Sequence, residues 1–186
     1  MRLTELVHET LKNHLQSGTF AIDATAGNGH DACLLAECVG ETGKVIAIDI
    51  QELAIKSTRI LLSKNGLADR VTLLAGDHSV ILEQLSKEYK NSIDTIVFNL
   101  GYLPGSDKSV KTSTKNTIRA LDASINLLRP SGLLCVTAYR AHHGGEEETK
   151  SVEEWMTSKT HGGWNIKCHE PDSNNNPPIL WIAVSP

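Results

Sequence analysis

The stretch Phe20-Ala21-Ile22-Asp23-Ala24-Thr25-Ala26-Gly27-Asn28-Gly29-His30-Asp31 decides how this chain folds. A short apolar run ends in an acid, turns through Gly27 and Gly29, and opens an apolar helix at Ala32. Glycine admits positive φ and leaves no Cβ between the backbone and a ligand. The first turn of the helix offers unpaired N–H groups. Strand, glycine turn and helix together make a floor for a nucleotide-like cofactor at the carboxyl end of a first strand.

The rest of the chain supplies the walls. Leu3, Leu6, Val7, Leu11 and Leu15 recur at helical spacing before Ser17-Gly18, giving a leading amphipathic helix over residues 1–18. Strand one covers 20–25 and a helix 31–39; Lys44–Ile50 is an apolar run ending in an acid, the pattern of a strand buried on both faces. A helix over 52–64 closes at Asn65-Gly66, and strand 70–75 leads into a helix over 79–89. Ser92–Asn99 is a fourth strand, 113–128 a helix stopped by Arg129-Pro130-Ser131-Gly132, and Leu133–Tyr139 a fifth strand. Glu146-Glu147-Glu148 start a helix at its positive end. Trp164–Cys168 and Ile179–Val184 are the last strands, joined by a short loop through Asn174-Asn175-Asn176-Pro177-Pro178. Short connections join antiparallel neighbours. The expected fold is therefore α/β: one Rossmann-like domain over 1–186, its core at 19–186, with a seven-stranded, mostly parallel sheet, helices on both faces and the last strand antiparallel beside strand five.

Composition narrows the class. The chain has 186 residues, 40% of them apolar and 22% charged, which suits one soluble domain with one substantial core. No apolar run approaches the roughly 20 residues of a membrane span, and Met1–Glu5 has no secretory pattern, so the expected location is the cytoplasm with no membrane partner. Cys33, Cys38, Cys135 and Cys168 form no Cys-x-x-Cys pair and the histidines show no ligand spacing, so no metal is expected. A net charge of −4 argues against nonspecific coating of nucleic acid. A local basic stretch is still present: Lys108, Lys111, Lys115 and Arg119 face only Asp107. The sequence leaves the oligomeric state open, a homodimer included.

Two cofactors fit the glycine turn. Gly27-x-Gly29-x-x-Ala32, with Asp49 twenty positions after Gly29, satisfies the dinucleotide fingerprint of an NAD(P)-dependent oxidoreductase. Asp23, four positions before Gly27 and expected to point into the pocket, discriminates. A carboxylate there repels a diphosphate and attracts the ammonium of a methionine moiety, which favours S-adenosyl-L-methionine. The antiparallel last strand is a second vote for the methyl-donor fold. The cofactor set is then Asp23, Thr25, Gly27, Asn28, Gly29 and Asp31 around the turn, Asp49 for the ribose hydroxyls, Gln51 on the adenine side, and Asp77 near the adenine amino group. Asp77 could equally cap the following helix.

The fourth strand delivers Asn99-Leu100-Gly101-Tyr102 to the same edge. Methyl transfer is an in-line displacement, so the protein's task is to aim a lone pair at the methyl carbon. An amine target needs acceptors that hold its hydrogens, here Asn99 Oδ1 and the Leu100 carbonyl, while Tyr102 could stack on a planar base. The pattern resembles the (Asn/Asp)-Pro-Pro-(Tyr/Phe) loop of amino-group methyltransferases, without its two prolines. No cysteine is presented for carbon-5 methylation of pyrimidines. An alkylammonium must lose a proton before it attacks, and His78, His142 and His143 are candidate bases, His142 being placed in the catalytic set. Gly101, Lys108, Lys111, Tyr139 and Arg140 are the candidate substrate contacts.

These residues together resemble the small bacterial class I methyltransferases of the rRNA methylase family, over nearly the whole chain. The resemblance rests on Asp23–Asp31, Asn99–Gly105, Gly144-Gly145-Glu146-Glu147 and Asn175-Asn176-Pro177-Pro178. Better-defined members methylate the aminomethyl group of 5-aminomethyl-2-thiouridine at the tRNA wobble position. The resemblance implies donor binding by Asp23, Asn28, Asp49, Gln51, Asp77 and His78, acceptor binding around Asn99–Tyr102, and tRNA, at its anticodon region, as partner. A methyltransferase acting on rRNA or a small amine is the alternative within the fold.

Overall fold

The computed structural model describes residues 2–101, 112–141, 144–171 and 176–186. Seven strands form one sheet in the order β3-β2-β1-β4-β5-β7-β6. They are β1 (Phe20–Asp23), β2 (Lys44–Asp49), β3 (Val71–Ala75), β4 (Ile93–Leu100), β5 (Leu128–Ala138), β6 (Asn165–His169) and β7 (Ile179–Val184). The helices are α1 (Leu3–His14), α2 (His30–Val39), α3 (Glu52–Lys64), α4 (His78–Glu88), α5 (Thr114–Leu127) and α6 (Gly145–Thr160).

Apolar alternation sorts the helices onto the two faces. Ile22, Ile46, Phe98 and Val136 point to a cluster completed by Leu82 of α4, Leu121 of α5 and Trp155 of α6. Their neighbours Ala21, Val45, Val97 and Cys135 point to the other side, onto Leu11 of α1, Leu35 of α2 and Leu62 of α3. Strands buried on both faces read as unbroken apolar runs, and β1, β2 and β4 do so. β7 pairs antiparallel with β5, Cys135 opposite Ile182, and with β6, Lys167 opposite Ile182, as the short connection requires.

Most boundaries shift by a residue or two from the sequence reading, β1 ending at Asp23 instead of residue 25, and three differences have a visible cause. Arg129–Gly132 does not stop the chain between α5 and β5 but lies inside β5. The register jumps from Ile93 opposite Leu128 to Thr95 opposite Leu133, and Ser131 takes φ 61°, so these residues form a bulge. Arg129 pairs with Asp94 and Ser185 Oγ accepts the Gly132 amide, contacts that hold the bulge in the sheet. Ala68–Arg70 is a 3-10 turn, which delays β3 to Val71. Asp77 caps α4, which therefore begins at His78.

The strand order reverses between β1 and β4, so their carboxyl ends open a crevice that side chains do not fill. Asp23, Asp49 and Asn99 all stand at or beside that edge.

Candidate active site

A cavity of about 890 Å³ occupies this edge, within the size range of small-molecule sites. Its walls include Thr25, Gly27, Asn28, Asp31, Asp49, Gln51, Asp77, His78, Asn99, Gly101 and Tyr139. The sequence assigned all of these to the site. Tyr102, Lys108, Lys111 and His142 lie outside the described residues.

The glycine turn folds back over the end of β1. The Ala26 amide donates to the Ile48 carbonyl (2.8 Å) and the Gly29 amide to the Ala26 carbonyl (2.8 Å). Gly29 has φ 85°, and a Cβ on it would stand 2.8 Å from Thr58 Cα. Glycine is required there on both counts. Thr58 Oγ1 also donates to the Gly27 carbonyl (3.2 Å), so α3 braces the turn from behind. Gly29 thus supports the floor instead of lining the cavity.

The fold-back corrects the expectation that Asp23 points into the pocket. Asp23 is 0% exposed, sealed beneath Ala24, Thr25 and Ala26, which do line the cavity. Its Oδ1 accepts from the Thr25 amide (3.1 Å), whereas Oδ2 has no partner among the described residues. Burial, reinforced by the Asp31 carboxylate and then by Asp49, pushes its carboxyl well above the usual range. Among the described residues no cation pairs with this buried, half-satisfied acid.

Asp49 is spoken for by backbone: Oδ2 accepts from the Gly27 amide (2.9 Å) and Oδ1 from the Gln51 amide (2.9 Å). It ties the turn to β2 and keeps one lone pair per oxygen. Asp77 Oδ1 accepts from the Ser79 amide and hydroxyl (2.8 Å each), and Oδ2 from Asn116 Nδ2 of α5. Burial pushes its carboxyl up, but the Ser79 donors outweigh that and hold it below the usual range. His78 packs edge-on to Phe98, ring centroids 5.8 Å apart, and burial pushes its imidazole down, with Asp77 pulling the other way.

Asn99 is held at both its backbone and its side chain. Its amide N–H donates to Thr25 Oγ1 (2.7 Å) and its Nδ2 to Asp31 Oδ2 (2.6 Å). The other Asp31 oxygen lies 2.9 Å from His8 Nε2 of α1. Leu100 contributes only its carbonyl, because its side chain is fully buried and the carbonyl already accepts the Tyr139 amide (3.0 Å). Burial and then Asp31 push the Tyr139 phenol up.

Arg140 is not brought to the cavity. Its Nη1 pairs with Glu170 (2.8 Å) and its Nε donates to the Pro177 carbonyl (2.9 Å). Arg119, the last cation of the basic stretch, is held by both Glu83 oxygens (3.1 and 2.8 Å).

The sequence reading missed four participants. His8 falls on the Thr4-His8-Leu11-Leu15 stripe, where a polar residue at an apolar spacing was the available signal. Glu148, 2% exposed, accepts from Thr112 Oγ1 (2.7 Å) and Thr117 Oγ1 (2.6 Å), anchoring the start of α5 to α6. Thr58 and Asn116 gave no local signal at all. Among the described residues no group of three His, Cys, Asp or Glu could hold a metal, and no helix is long and apolar enough to cross a membrane.

Residues 45–185 match the family model described as "Putative rRNA methylase". The chain belongs to this family. Residues 2–86 also match the model of protein-L-isoaspartate(D-aspartate) O-methyltransferases. The tRNA (mnm(5)s(2)U34)-methyltransferase, chloroplastic, of Arabidopsis thaliana is 36% identical over 171 residues, covering 88% of this chain and 62% of that relative. The chain thus spans less than two thirds of that protein's length. A crystal structure of an rRNA-methylase from Clostridium thermocellum superposes with a TM-score of 0.90 at 34% identity, covering 97% of this chain and 96% of the other. A methyltransferase of Streptococcus mutans, solved in complex with SAH, gives 0.86 at 30% identity, covering 99% and 98%. Membership of a methylase family sets the oxidoreductase alternative aside. A buried acid with no cation beside it among the described residues suits a donor whose amino-acid tail is positively charged.

Proposed function

We propose that the protein methylates the nitrogen of the aminomethyl group of 5-aminomethyl-2-thiouridine at the wobble position of tRNA, giving 5-methylaminomethyl-2-thiouridine. The observation that carries this reading is the fixed orientation of Asn99. With Nδ2 committed to Asp31, the amide presents Oδ1 as its acceptor end. An amine needs such an acceptor, because holding its hydrogens turns its lone pair toward the methyl donor. The second lone pair of the Leu100 carbonyl adds another, and Tyr139 walls the same side. The relative from Arabidopsis thaliana, named for this tRNA nucleoside, supports the choice of acceptor.

Residues along the other wall would hold the donor. Asp31 and Asp49 face the cavity and set up a negative field for the cationic amino-acid tail, and that cation would in turn favour the ionised form of Asp23 behind the floor. Asp49 and Gln51 would hold the ribose and adenine side, with Asp77 and His78 lining the same cavity. S-adenosylmethionine supplies an electrophilic methyl group on a sulfonium. The chain's own residues orient the amine, exclude water and stabilise the charges that meet there.

Nucleoside analysis of tRNA from a strain lacking the gene tests the reading. The expected result is loss of 5-methylaminomethyl-2-thiouridine with accumulation of the aminomethyl precursor, restored by the intact gene. Unchanged methylated nucleoside, or a lost methyl mark in rRNA instead, refutes it. In single-turnover assays Asn99→Ala should slow transfer about 100-fold while leaving donor affinity within about threefold.

A further inference from the structure

We propose that His8, carried in by the leading helix α1, is a positioning residue for the methyl acceptor, acting through Asp31 on Asn99. The inference rests on the acceptor role given to Asn99 above. The sequence assigns α1 to packing, and most of its contacts are packing: Val7 and Leu11 are buried against α2 and the sheet. One turn of the helix does something else. His8 lines the cavity with Arg2, Leu3 and Thr4, and its side chain is about one third exposed at 33%.

The contacts form a chain across three elements. His8 Nε2 of α1 lies 2.9 Å from Asp31 Oδ1, at the first turn of α2. Asp31 Oδ2 accepts from Asn99 Nδ2 of β4 at 2.6 Å. Asp31 is only 17% exposed, so water replaces a lost partner poorly. With both oxygens engaged, the carboxylate cannot rotate about its Cβ–Cγ bond. It therefore fixes the plane of the Asn99 amide and the direction of Oδ1. Without the Nε2–H donor, Oδ1 is released, the carboxylate turns, and Asn99 loses its anchor. Imidazole does this job through an N–H at Nε2, whether neutral in that tautomer or protonated. A side chain with an N–H at the same reach should therefore replace it, whereas none could if His8 served as a proton acceptor.

The experiment compares His8→Ala and His8→Gln with the wild type in the full chain. With tRNA bearing 5-aminomethyl-2-thiouridine, His8→Ala should slow single-turnover methyl transfer about 10- to 100-fold. Affinity for S-adenosylhomocysteine by calorimetry should stay within about threefold, and His8→Gln should recover the rate to within about threefold of wild type. Full activity in His8→Ala, or His8→Gln as slow as His8→Ala, overturns the proposal. A second readout needs no acceptor: the side-chain amide resonances of Asn99 in isotope-labelled protein. They should shift toward those of a free amide in His8→Ala and return in His8→Gln; resonances unmoved by His8→Ala overturn the proposal. Wild-type protein inactive on this tRNA sinks the acceptor reading instead, and the resonance test still stands.

Discussion

Replacing Asp23 by Asn should stabilise the ligand-free protein while weakening its hold on the donor. The side chain is fully buried, Oδ1 is satisfied by the Thr25 amide, and Oδ2 has no partner among the described residues. Leaving a buried polar atom unsatisfied costs about 1–3 kcal/mol, more when it is charged. Asn keeps the acceptor toward Thr25 and removes the negative charge that burial, Asp31 and Asp49 all disfavour there. A gain of about 2 kcal/mol corresponds to roughly 4–8 °C in Tm for a chain of this size. The sign with pH follows from the raised carboxyl. The folded state keeps a proton that the unfolded chain releases near its ordinary pKa of about 3.9. Wild-type stability therefore falls as pH rises from there through the folded value, and the penalty is complete above it. The variant lacks this slope, so its advantage should be small in acid and largest in mild alkali. Thermal melts across pH, with and without S-adenosylhomocysteine, measure both effects: the ligand should raise the wild-type Tm more, reflecting about tenfold weaker binding by the variant. A variant no more stable than wild type in mild alkali would refute the assignment of Asp23 as a buried, half-satisfied acid.

Gly29→Ala should destabilise the chain by about 1–3 kcal/mol through its left-handed backbone alone, with the 2.8 Å approach to Thr58 Cα adding to it; an unchanged denaturant midpoint would mean the turn is looser than described. Glu148→Ala, which strands the hydroxyls of Thr112 and Thr117, should cost about 3 kcal/mol, and hydrogen exchange should show faster opening of the amides at the start of α5. Changing Lys108 and Lys111 to Ala should weaken tRNA binding and flatten its dependence on salt, measured as the slope of log affinity against log salt; an unaltered slope places the RNA path elsewhere.

The local pattern was enough to derive most of this molecule. The apolar runs at Ala21–Ile22, Val45–Ile48 and Ile96–Phe98 are uninterrupted because helices cover both faces of the sheet, so periodicity alone marked them as central parallel strands. The short loop before Ile179 fixed β7 as antiparallel, and the acids and amide ending β1, β2 and β4 marked the crevice, because a doubly wound sheet places its site at those ends. Tertiary structure alone decided what each of those groups touches. Asp23 is sealed because the Ala24–Gly29 turn folds over it, and Arg140 is turned away because Glu170 and the Pro177 carbonyl hold it. His8, Asn116, Thr58 and Glu148 entered the site or its supports from helices distant in sequence. Hydrogen bonds between side chains depend on ångström-scale placement of elements packed from far along the chain. Hydrophobic spacing reports which face of an element is buried, and carries no information on which polar atom waits there.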